Sequence, residues 1–253
     1  MSPPESAPQG PPLLRESAID SGVVSAWPRV EQVTQRLCVM PTEMDELWSQ
    51  GWRHFASVFF RYSVTVHEGR VVTVVPLRIR LEDWKASTSQ ARIARRNGDL
   101  EVAFVRPGLD AEHRHLFHRH VQRFTSNVPE HLENFVGPDP GRRRAEVAYP
   151  CECIEVSVRR QGVLVAASYL DVGRESASSV YGMFDLAEGR RSLGIATLLW
   201  EIGYARERGC RFLYPGYVFA EPSPYDYKKR LGALEAYDWR EWRRWDLGRL
   251  TDK

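Results

Sequence analysis

Residues 178–209, SSVYGMFDLAEGRRSLGIATLLWEIGYARERG, carry the strongest structural signal in this chain. Side chains alternate between two faces up to Asp185, which predicts a β-strand that ends there. Gly209 closes a predicted helix whose apolar residues recur at helical spacing, at Ile195, Leu198, Leu199 and Ile202. The stretch therefore predicts a strand, a basic turn and a helix.

The basic turn, RRSLG at residues 190–194, lies at the start of the predicted helix. Unpaired backbone N–H groups and the positive end of the helix dipole favour an anion at such a position. The turn is similar to the pyrophosphate loop of the GNAT acyltransferase superfamily, although so short a pattern is also typical of an ordinary strand-to-helix turn. We expect the substrate to bind at Arg190, Arg191, Ser192 and Gly194.

Two ordered groups of motifs resemble the aminoacyl-tRNA-protein transferases, the arginyl- and leucyl-transferases of the N-end rule pathway. The first group is SVYGMFD, RRSLGIATLLWEI with ARERG, GY and YKKRLGALE. The second lies upstream, where Pro76-Leu77-Arg78-Ile79 precedes STSQARIARRNGDL at residues 87–100. The resemblance covers about residues 35–240. It implies an α/β fold with a GNAT-like C-terminal domain and a smaller, basic α/β N-terminal region.

Further elements follow from the pattern of the chain. Strands are predicted in VVTVVPLRI, CIEVSVRR, QGVLVAASYLDV and SSVYGMFD, and in residues 211–217 after the helix. The three strands from CIEVSVRR to SSVYGMFD are expected to form an antiparallel meander with a hairpin at Gln161-Gly162. Helices are predicted near residues 44–51, 89–96 and 112–123, and the Pro- and Gly-rich loop GPDPGRRR marks a boundary. We expect a flexible Pro- and Ser-rich tail at 1–25, an N-terminal family region at 26–145 and a GNAT-like aminoacyltransferase domain at 146–253.

The resemblance implies a reaction in which an amine attacks the ester of an aminoacyl-tRNA, giving an amide and free tRNA. Positioning and stabilisation of the oxyanion supply much of the acceleration of such a reaction. A base that deprotonates the amine would help, and Asp185 is placed for that role at the end of its strand. Tyr181, Tyr217 and Tyr227 are further candidate catalytic residues, and Lys228 is a candidate substrate-binding residue. Each tyrosine could instead pack as an ordinary aromatic residue.

Arginine clusters predict where a tRNA would bind. Arg92, Arg95 and Arg96 share one face of a predicted helix, and Arg142, Arg143 and Arg144 are consecutive. Arginine suits bidentate contacts with phosphate, although each cluster is also compatible with a solvated face. The total charge is nearly balanced, with 35 basic and 33 acidic residues, which argues against a protein that simply coats nucleic acid.

The cysteines and histidines predict no metal site and no cofactor. The four cysteines form no CxxC pair, and Cys151 and Cys153 are expected to pack as small apolar groups in a strand. Four histidines cluster in EHRHLFHRH, at His113, His115, His118 and His120, but no further ligand completes a site. Neither a signal peptide nor a long apolar run is present, so we expect a cytoplasmic protein that does not bind membranes.

The chain departs from the family in two places. Many members carry paired cysteines near the N-terminus and before the proline-bearing strand, and the corresponding FFRYSVTVHEGRVVTVVPLRI has none. The family's Lys-Met pair is missing after Tyr217, and Leu231-Gly232-Ala233 stands where an aromatic-x-Pro run is commoner.

The family implies two partners, an aminoacyl-tRNA and a protein N-terminus. Because the loop after Tyr217 differs from the family pattern, a small-molecule amine of specialised metabolism is a second possible acceptor. A CoA-dependent N-acyltransferase would use the same turn for pyrophosphate, and a non-catalytic tRNA-binding protein would use the same arginine faces. The sequence leaves these two functions possible as well.

Overall fold

The structure is a computed structural model that describes residues 28–124, 128–137 and 149–245. Its strands are β1 Glu31–Gln35, β2 Arg53–Phe55, β3 Val58–Tyr62, β4 Val64–His67, β5 Arg70–Arg80, β6 Glu101–Val105, β7 Glu152–Arg160, β8 Val163–Val172, β9 Ser176–Phe184, β10 Phe212–Phe219, β11 Leu234–Tyr237 and β12 Trp242–Arg244. Its α-helices are α1 Pro41–Ser49, α2 Thr88–Arg96, α3 Ala111–Val121, α4 Glu133–Val136 and α5 Leu193–Glu207. Two short 3₁₀ helices span Leu186–Arg191 and Lys228–Arg230.

A nine-stranded sheet organises these elements and confirms the predicted α/β class. Its strand order is β12-β11-β5-β10-β9-β8-β7-β6, and β4 pairs with β5. Strand β5 lies between two strands of the C-terminal half, so the sheet includes strands from both sides of the predicted boundary at residues 145 and 146. That boundary and the predicted tail lie outside the described residues, and the division into domains stays a prediction.

The predicted antiparallel meander is confirmed in β7, β8 and β9. Gln161 and Gly162 connect the first two of these strands, and both have positive φ, 51° and 79°, as a tight two-residue hairpin requires. The predicted helix and strand that follow are confirmed as α5 and β10. This order of strands, helix and parallel strand is the GNAT-like arrangement that the sequence predicted.

Two helices cover the two faces of the sheet. Helix α5 packs through Leu198 and Ile202 on apolar residues that include Leu170 and Leu77. Helix α3 packs through Leu116 and Phe117 on the opposite face, against Ala167, Tyr169 and Met183. Alternation along β8 explains this division, since successive side chains of a strand point to opposite faces. Both faces of the central strands are therefore buried.

Helix α2 begins with a capping box that the Ser-x-x-Gln spacing encodes. Ser87 Oγ accepts a hydrogen bond from the Gln90 backbone N–H at 3.3 Å, and Gln90 Oε1 accepts one from the Ser87 N–H at 2.8 Å. The Gln90 side chain is buried and also donates to the carbonyl oxygens of Arg230 and Leu231. Helix α2 is thereby fixed against the C-terminal half of the chain.

Candidate active site

Strands β9 and β10 separate soon after they pair. Their parallel register joins residues 176–178 to residues 212–214 and then ends. Strand β10 has an irregularity between Leu213 and Gly216, and the pairing of β9 with β8 shifts opposite Tyr169 and Leu170. In the described part of the chain, no strand pairs with the β10-facing edge of β9 beyond Ser178. The two strands therefore form a split in the middle of the sheet.

Arg53 lies in this split, at the point where the strands separate. Its guanidinium donates hydrogen bonds to the Ser178 hydroxyl and the Ser179 carbonyl on β9, and to the Tyr214 carbonyl on β10 at 3.4 Å. Burial lowers the pKa of the guanidinium. Arg53 thus bridges the two strands, and it puts a positive charge at the base of the split.

Glu201 lies on the face of α5 that packs against the sheet. The residue is 0% exposed, and neither carboxylate oxygen has a hydrogen-bond partner among the described residues. Burial raises the pKa of this carboxyl to about 7, and the nearby hydroxyls of Ser168 and Ser179 oppose the shift, as do the charges of Lys228 and Arg53. A buried carboxylate with such a pKa is a candidate proton acceptor near neutral pH.

The segment after β10 brings Tyr227 and Lys228 to the same place. Burial lowers the pKa of Lys228 to about 7; the Arg53 charge adds to the shift and the Glu201 charge opposes it. Burial also raises the pKa of Tyr227 to about 12, and the Glu201 charge contributes to this shift. The structure therefore groups two residues that the sequence predicted with Arg53 and Glu201, which the sequence interpretation missed.

Gly216 leaves room for the two cations. Its φ is +99°, and a Cβ added there would lie 3.1 Å from Lys228 Nζ and 3.7 Å from an Arg53 guanidinium nitrogen. Both the backbone conformation and the close approach favour glycine. The Lys228 ammonium also lies 5.6 Å from the centre of the Tyr225 ring. Lys228 and Arg53 are each partly exposed, whereas Glu201 is buried.

Asp185, the base predicted from the sequence, has other partners. One carboxylate oxygen accepts a hydrogen bond from the Ala187 N–H at 3.0 Å and caps the 3₁₀ helix Leu186–Arg191. The second oxygen lies 2.9 Å from Arg119 on α3. The structure therefore places Asp185 in an ion pair and a cap, and its catalytic role stays a prediction.

The remaining predicted tyrosines, Tyr181 and Tyr217, pack among aromatic residues. Tyr181 stacks on Phe135 with ring centroids 4.0 Å apart, on the face of the sheet covered by α3, and its hydroxyl has no partner among the described residues. Tyr217 packs edge-on against Tyr62, and its hydroxyl donates to the Gly51 carbonyl at 2.5 Å. Burial raises the pKa of both phenols. Their catalytic roles also stay predictions.

The predicted phosphate turn lies against the end of α2. Arg96 donates a hydrogen bond to the Arg190 carbonyl, and Asn97 donates one to the Arg191 carbonyl at 2.9 Å. Ser192 precedes α5 in the left-handed region with φ 57°, and a Cβ at Gly194 would meet the Phe184 ring at 3.0 Å. The sequence-predicted phosphate and tRNA residues of this part of the chain thus adjoin each other.

Exposed arginines surround this contact. Arg92, Arg95, Arg96 and Arg190 are all exposed. A surface cavity beside the turn is lined by several charged side chains, among them Arg96, Arg160 and Arg190. Arg142, Arg143 and Arg144 lie outside the described residues.

A second polar cluster surrounds Asp171. His54 Nε2 lies 2.7 Å from one carboxylate oxygen, and the Tyr149 hydroxyl donates to the second oxygen at 2.6 Å. Cys151 lies just before β7 beside this pair, and the ligand atoms of His54, Cys151 and Asp171 are within 4.8 Å of one another. Burial, and then the Asp171 charge, raises the pKa of the Cys151 and Cys153 thiols. Cys151 and Cys153 pack against apolar clusters, as predicted, and Asp171 lies beside them as a charged neighbour that the sequence did not indicate.

A comparison with models of protein families assigns this chain to a family. Residues 112–238 match the model described as "Arginine-tRNA-protein transferase, C terminus". The chain belongs to this family. Membership in the arginine-tRNA-protein transferase family confirms the predicted resemblance. The chain is therefore an aminoacyltransferase enzyme.

The sequence similarity to known relatives extends over most of the chain. An aspartate/glutamate leucyltransferase of Stenotrophomonas maltophilia (strain K279a) is 33% identical over 205 residues, which cover 78% of each chain. One of Halorhodospira halophila is 29% identical over 240 residues, which cover 91% of this chain and 96% of the relative. Among solved structures, FemX superposes with a TM-score of 0.48 at 8% identity, over 77% of this chain and 66% of that one. The relatives give no support to a small-molecule acceptor or a CoA donor.

One finding concerns the predicted absence of membrane binding. Within the described ranges, every helix is too short or too polar to span a bilayer. The absence of a metal or cofactor stays a prediction.

Proposed function

We propose that this transferase moves an aminoacyl group from aminoacyl-tRNA to the α-amine of a protein N-terminus, and that the acceptor residue is acidic. The observation that most supports this proposal is the hydrogen bond from the Arg96 guanidinium to the Arg190 carbonyl oxygen. It joins the exposed arginines of α2 to the turn at the start of α5, which together form one basic surface. Phosphate groups of a tRNA acceptor arm fit such a surface, since arginine side chains and helix N-termini both bind phosphate.

The split supports the choice of acceptor. An N-terminal aspartate or glutamate carries an ammonium and a carboxylate close together. Glu201 supplies a carboxylate, and Lys228 and Arg53 are cations near enough to shift its pKa. The relatives named aspartate/glutamate leucyltransferases carry an acidic acceptor in their names. Leucine is accordingly the first donor amino acid to test.

A peptide assay tests this proposal. The full chain is incubated with tRNA charged with leucine, arginine or another amino acid, and with peptides that differ only in an N-terminal Asp, Glu or Ala. We expect mass spectrometry to show one added amino acid on the Asp and Glu peptides and none on an N-acetylated Asp peptide. Failure with every charged tRNA and every peptide, or acyl transfer from acetyl-CoA instead, would show the proposal to be wrong.

A further inference from the structure

The carboxylate of Glu201 is an exception to the way proteins bury charge. Buried polar groups are normally hydrogen-bonded, and a buried charge without a partner is strongly unfavourable or is neutralised. Glu201 is 0% exposed and neither of its oxygens makes a hydrogen bond of normal geometry with the described residues, so the hydroxyls of Ser168 and Ser179 beside it only partly offset its burial. A group in this state needs an explanation beyond packing, because an apolar residue would pack there at lower cost.

The surroundings of Glu201 come from five strands or loops besides its own helix. Ser168 on β8 and Ser179 on β9 supply hydroxyls near the carboxylate. Charged or titratable groups lie near it on other elements, namely Arg53 on β2 and Tyr227 and Lys228 in the segment after β10, while Cys153 on β7 interacts with its charge from the opposite face of the sheet. The two cations favour the deprotonated carboxylate, whereas burial favours the protonated one. The group is therefore balanced between two protonation states.

The proposed reaction needs a proton acceptor of this kind. An N-terminal amine has a pKa of about 7.7–8.0 and is mostly an ammonium at pH 7, and an ammonium cannot attack a carbonyl. Asp185 already accepts the Ala187 N–H and pairs with Arg119, so its oxygens are engaged elsewhere. Glu201 has two oxygens without such partners among the described residues, and it adjoins the residues of the split.

We propose that Glu201 binds the ammonium group of the acceptor and takes the proton that must leave before attack. This inference rests on the proposed function. The neutral amine then attacks the ester carbonyl, a C–N bond forms, and the bond from the carbonyl carbon to the tRNA ribose oxygen breaks. The second amine proton passes to that oxygen, which leaves as a hydroxyl, and Glu201 releases its proton to solvent. Lys228 acts as a positioning residue that holds the carboxylate deprotonated.

The test compares Glu201→Gln with Glu207→Gln, an exposed glutamate near the end of the same helix. Glutamine keeps the size of the side chain and accepts no proton. With the Asp-initiated peptide and the best aminoacyl-tRNA, we expect Glu201→Gln to lower kcat about a hundredfold at pH 7, the usual scale for a positioned base. The KM for aminoacyl-tRNA should stay within about threefold, and Glu207→Gln should match the wild type.

The pH profile provides a readout that a structural role would not change. Wild-type activity should fall on the acid side with an apparent pKa near 7, and in Glu201→Gln this limb should move up to the pKa of the acceptor amine, about 7.7–8.0. The defect of the variant should shrink above about pH 8, where the acceptor amine is deprotonated in solution. Circular dichroism and tRNA binding at each pH verify that the variant is folded.

Three outcomes would overturn the inference. An active wild type with an equally active Glu201→Gln variant would leave the proposed function intact and exclude Glu201 as the proton acceptor. An unchanged pH profile, with a raised KM for the donor and new tolerance of N-acetylaminoacyl-tRNA, would instead assign Glu201 to the amino group of the donor. A wild type inactive with every aminoacyl-tRNA would overturn the proposed function itself and, with it, the role of Glu201.

Discussion

Arg191 donates two hydrogen bonds to Asp99, at 2.7 and 2.8 Å, and thereby ties the turn before α5 to the segment after α2. Its Nε donates a third bond, to Glu188 at 2.8 Å. Two carboxylates thus balance the charge of this guanidinium, and the Arg191 side chain is only 15% exposed. The exposed Arg190 is the neighbour whose side chain can still contact a phosphate.

Arg190 and Arg191 should therefore behave differently when each is changed to Gln. Arg190→Gln should raise the KM for aminoacyl-tRNA about tenfold, the effect of one charge-assisted hydrogen bond, and leave kcat and the melting temperature unchanged. Arg191→Gln should lower the melting temperature, because it leaves Asp99 without its partner and Glu188 with Arg160 alone. Steady-state kinetics and thermal melts measure both. Equal effects of the two variants on KM and stability would contradict this assignment.

The α2 arginines should set the salt dependence of tRNA binding. Changing Arg92, Arg95 and Arg96 together to Gln should weaken binding and flatten the plot of log affinity against log salt, by about one unit of slope for each lost phosphate contact. Arg211→Gln is the matched control, since Arg211 is exposed and pairs with Glu175 instead. Filter-binding measurements of tRNA affinity between low and moderate salt give this slope. A slope that the triple variant leaves unchanged would rule out this surface.

Asp185→Asn separates the two candidate bases. Asp185 caps a 3₁₀ helix and pairs with Arg119, so we expect the change to cost about 1 kcal/mol of stability and to alter kcat by less than about threefold. Thermal unfolding and kinetics on the same preparation measure the two effects. A hundredfold loss of kcat in a stable Asp185→Asn protein would return the role of base to Asp185, as the sequence predicted.

Glu201→Gln should stabilise the fold at high pH. Burial raises the folded-state pKa of Glu201 to about 7 from an ordinary value of 4.5, so the folded state binds this proton more tightly than the unfolded state does. The wild type therefore loses stability as pH rises from about 4.5 to about 7, whereas the glutamine variant has no such proton. By linkage the variant should be more stable at pH 8 by up to ~3 kcal/mol, and the difference should vanish toward about pH 4.

Urea unfolding of both proteins at about pH 4.5, 6 and 8 measures this difference. Glu207→Gln again provides the control, because its exposed side chain should give no pH-dependent difference. A Glu201→Gln protein less stable than the wild type at about pH 8 would mean that the carboxylate makes stabilising contacts that outweigh its burial.

Metal analysis should find no stoichiometric iron or zinc in the purified chain. His54 and Asp171 are already hydrogen-bonded to each other at 2.7 Å, closer than two ligands of one zinc ion would lie. We accordingly expect Cys151→Ser to retain activity, and chelators to have no effect. One bound metal per chain, lost in Cys151→Ser together with activity, would identify His54, Cys151 and Asp171 as a metal site.

Local pattern was sufficient for the elements that make up the catalytic half. Alternation predicted β7, β8 and β9, and helical spacing predicted α5. Each of these signals depends on neighbours within about four residues, so the chain encodes them without reference to the rest of the fold. Motif content also led to the correct family, because the motifs retain their order along the chain.

The composition of the site depended on long-range contacts instead. Arg53 meets Ser178 across 125 positions of sequence, and β5 enters the sheet between β10 and β11, which follow it far along the chain. Glu201 stands in LLWEIGYARE, where a carboxylate would ordinarily face water, and its burial becomes evident only once β8, β9 and the segment after β10 surround it. Periodicity records which face of a helix is apolar but not what packs on that face. The sequence therefore indicated the reaction and the family, whereas tertiary packing buried Glu201 and brought it near Arg53 and Lys228.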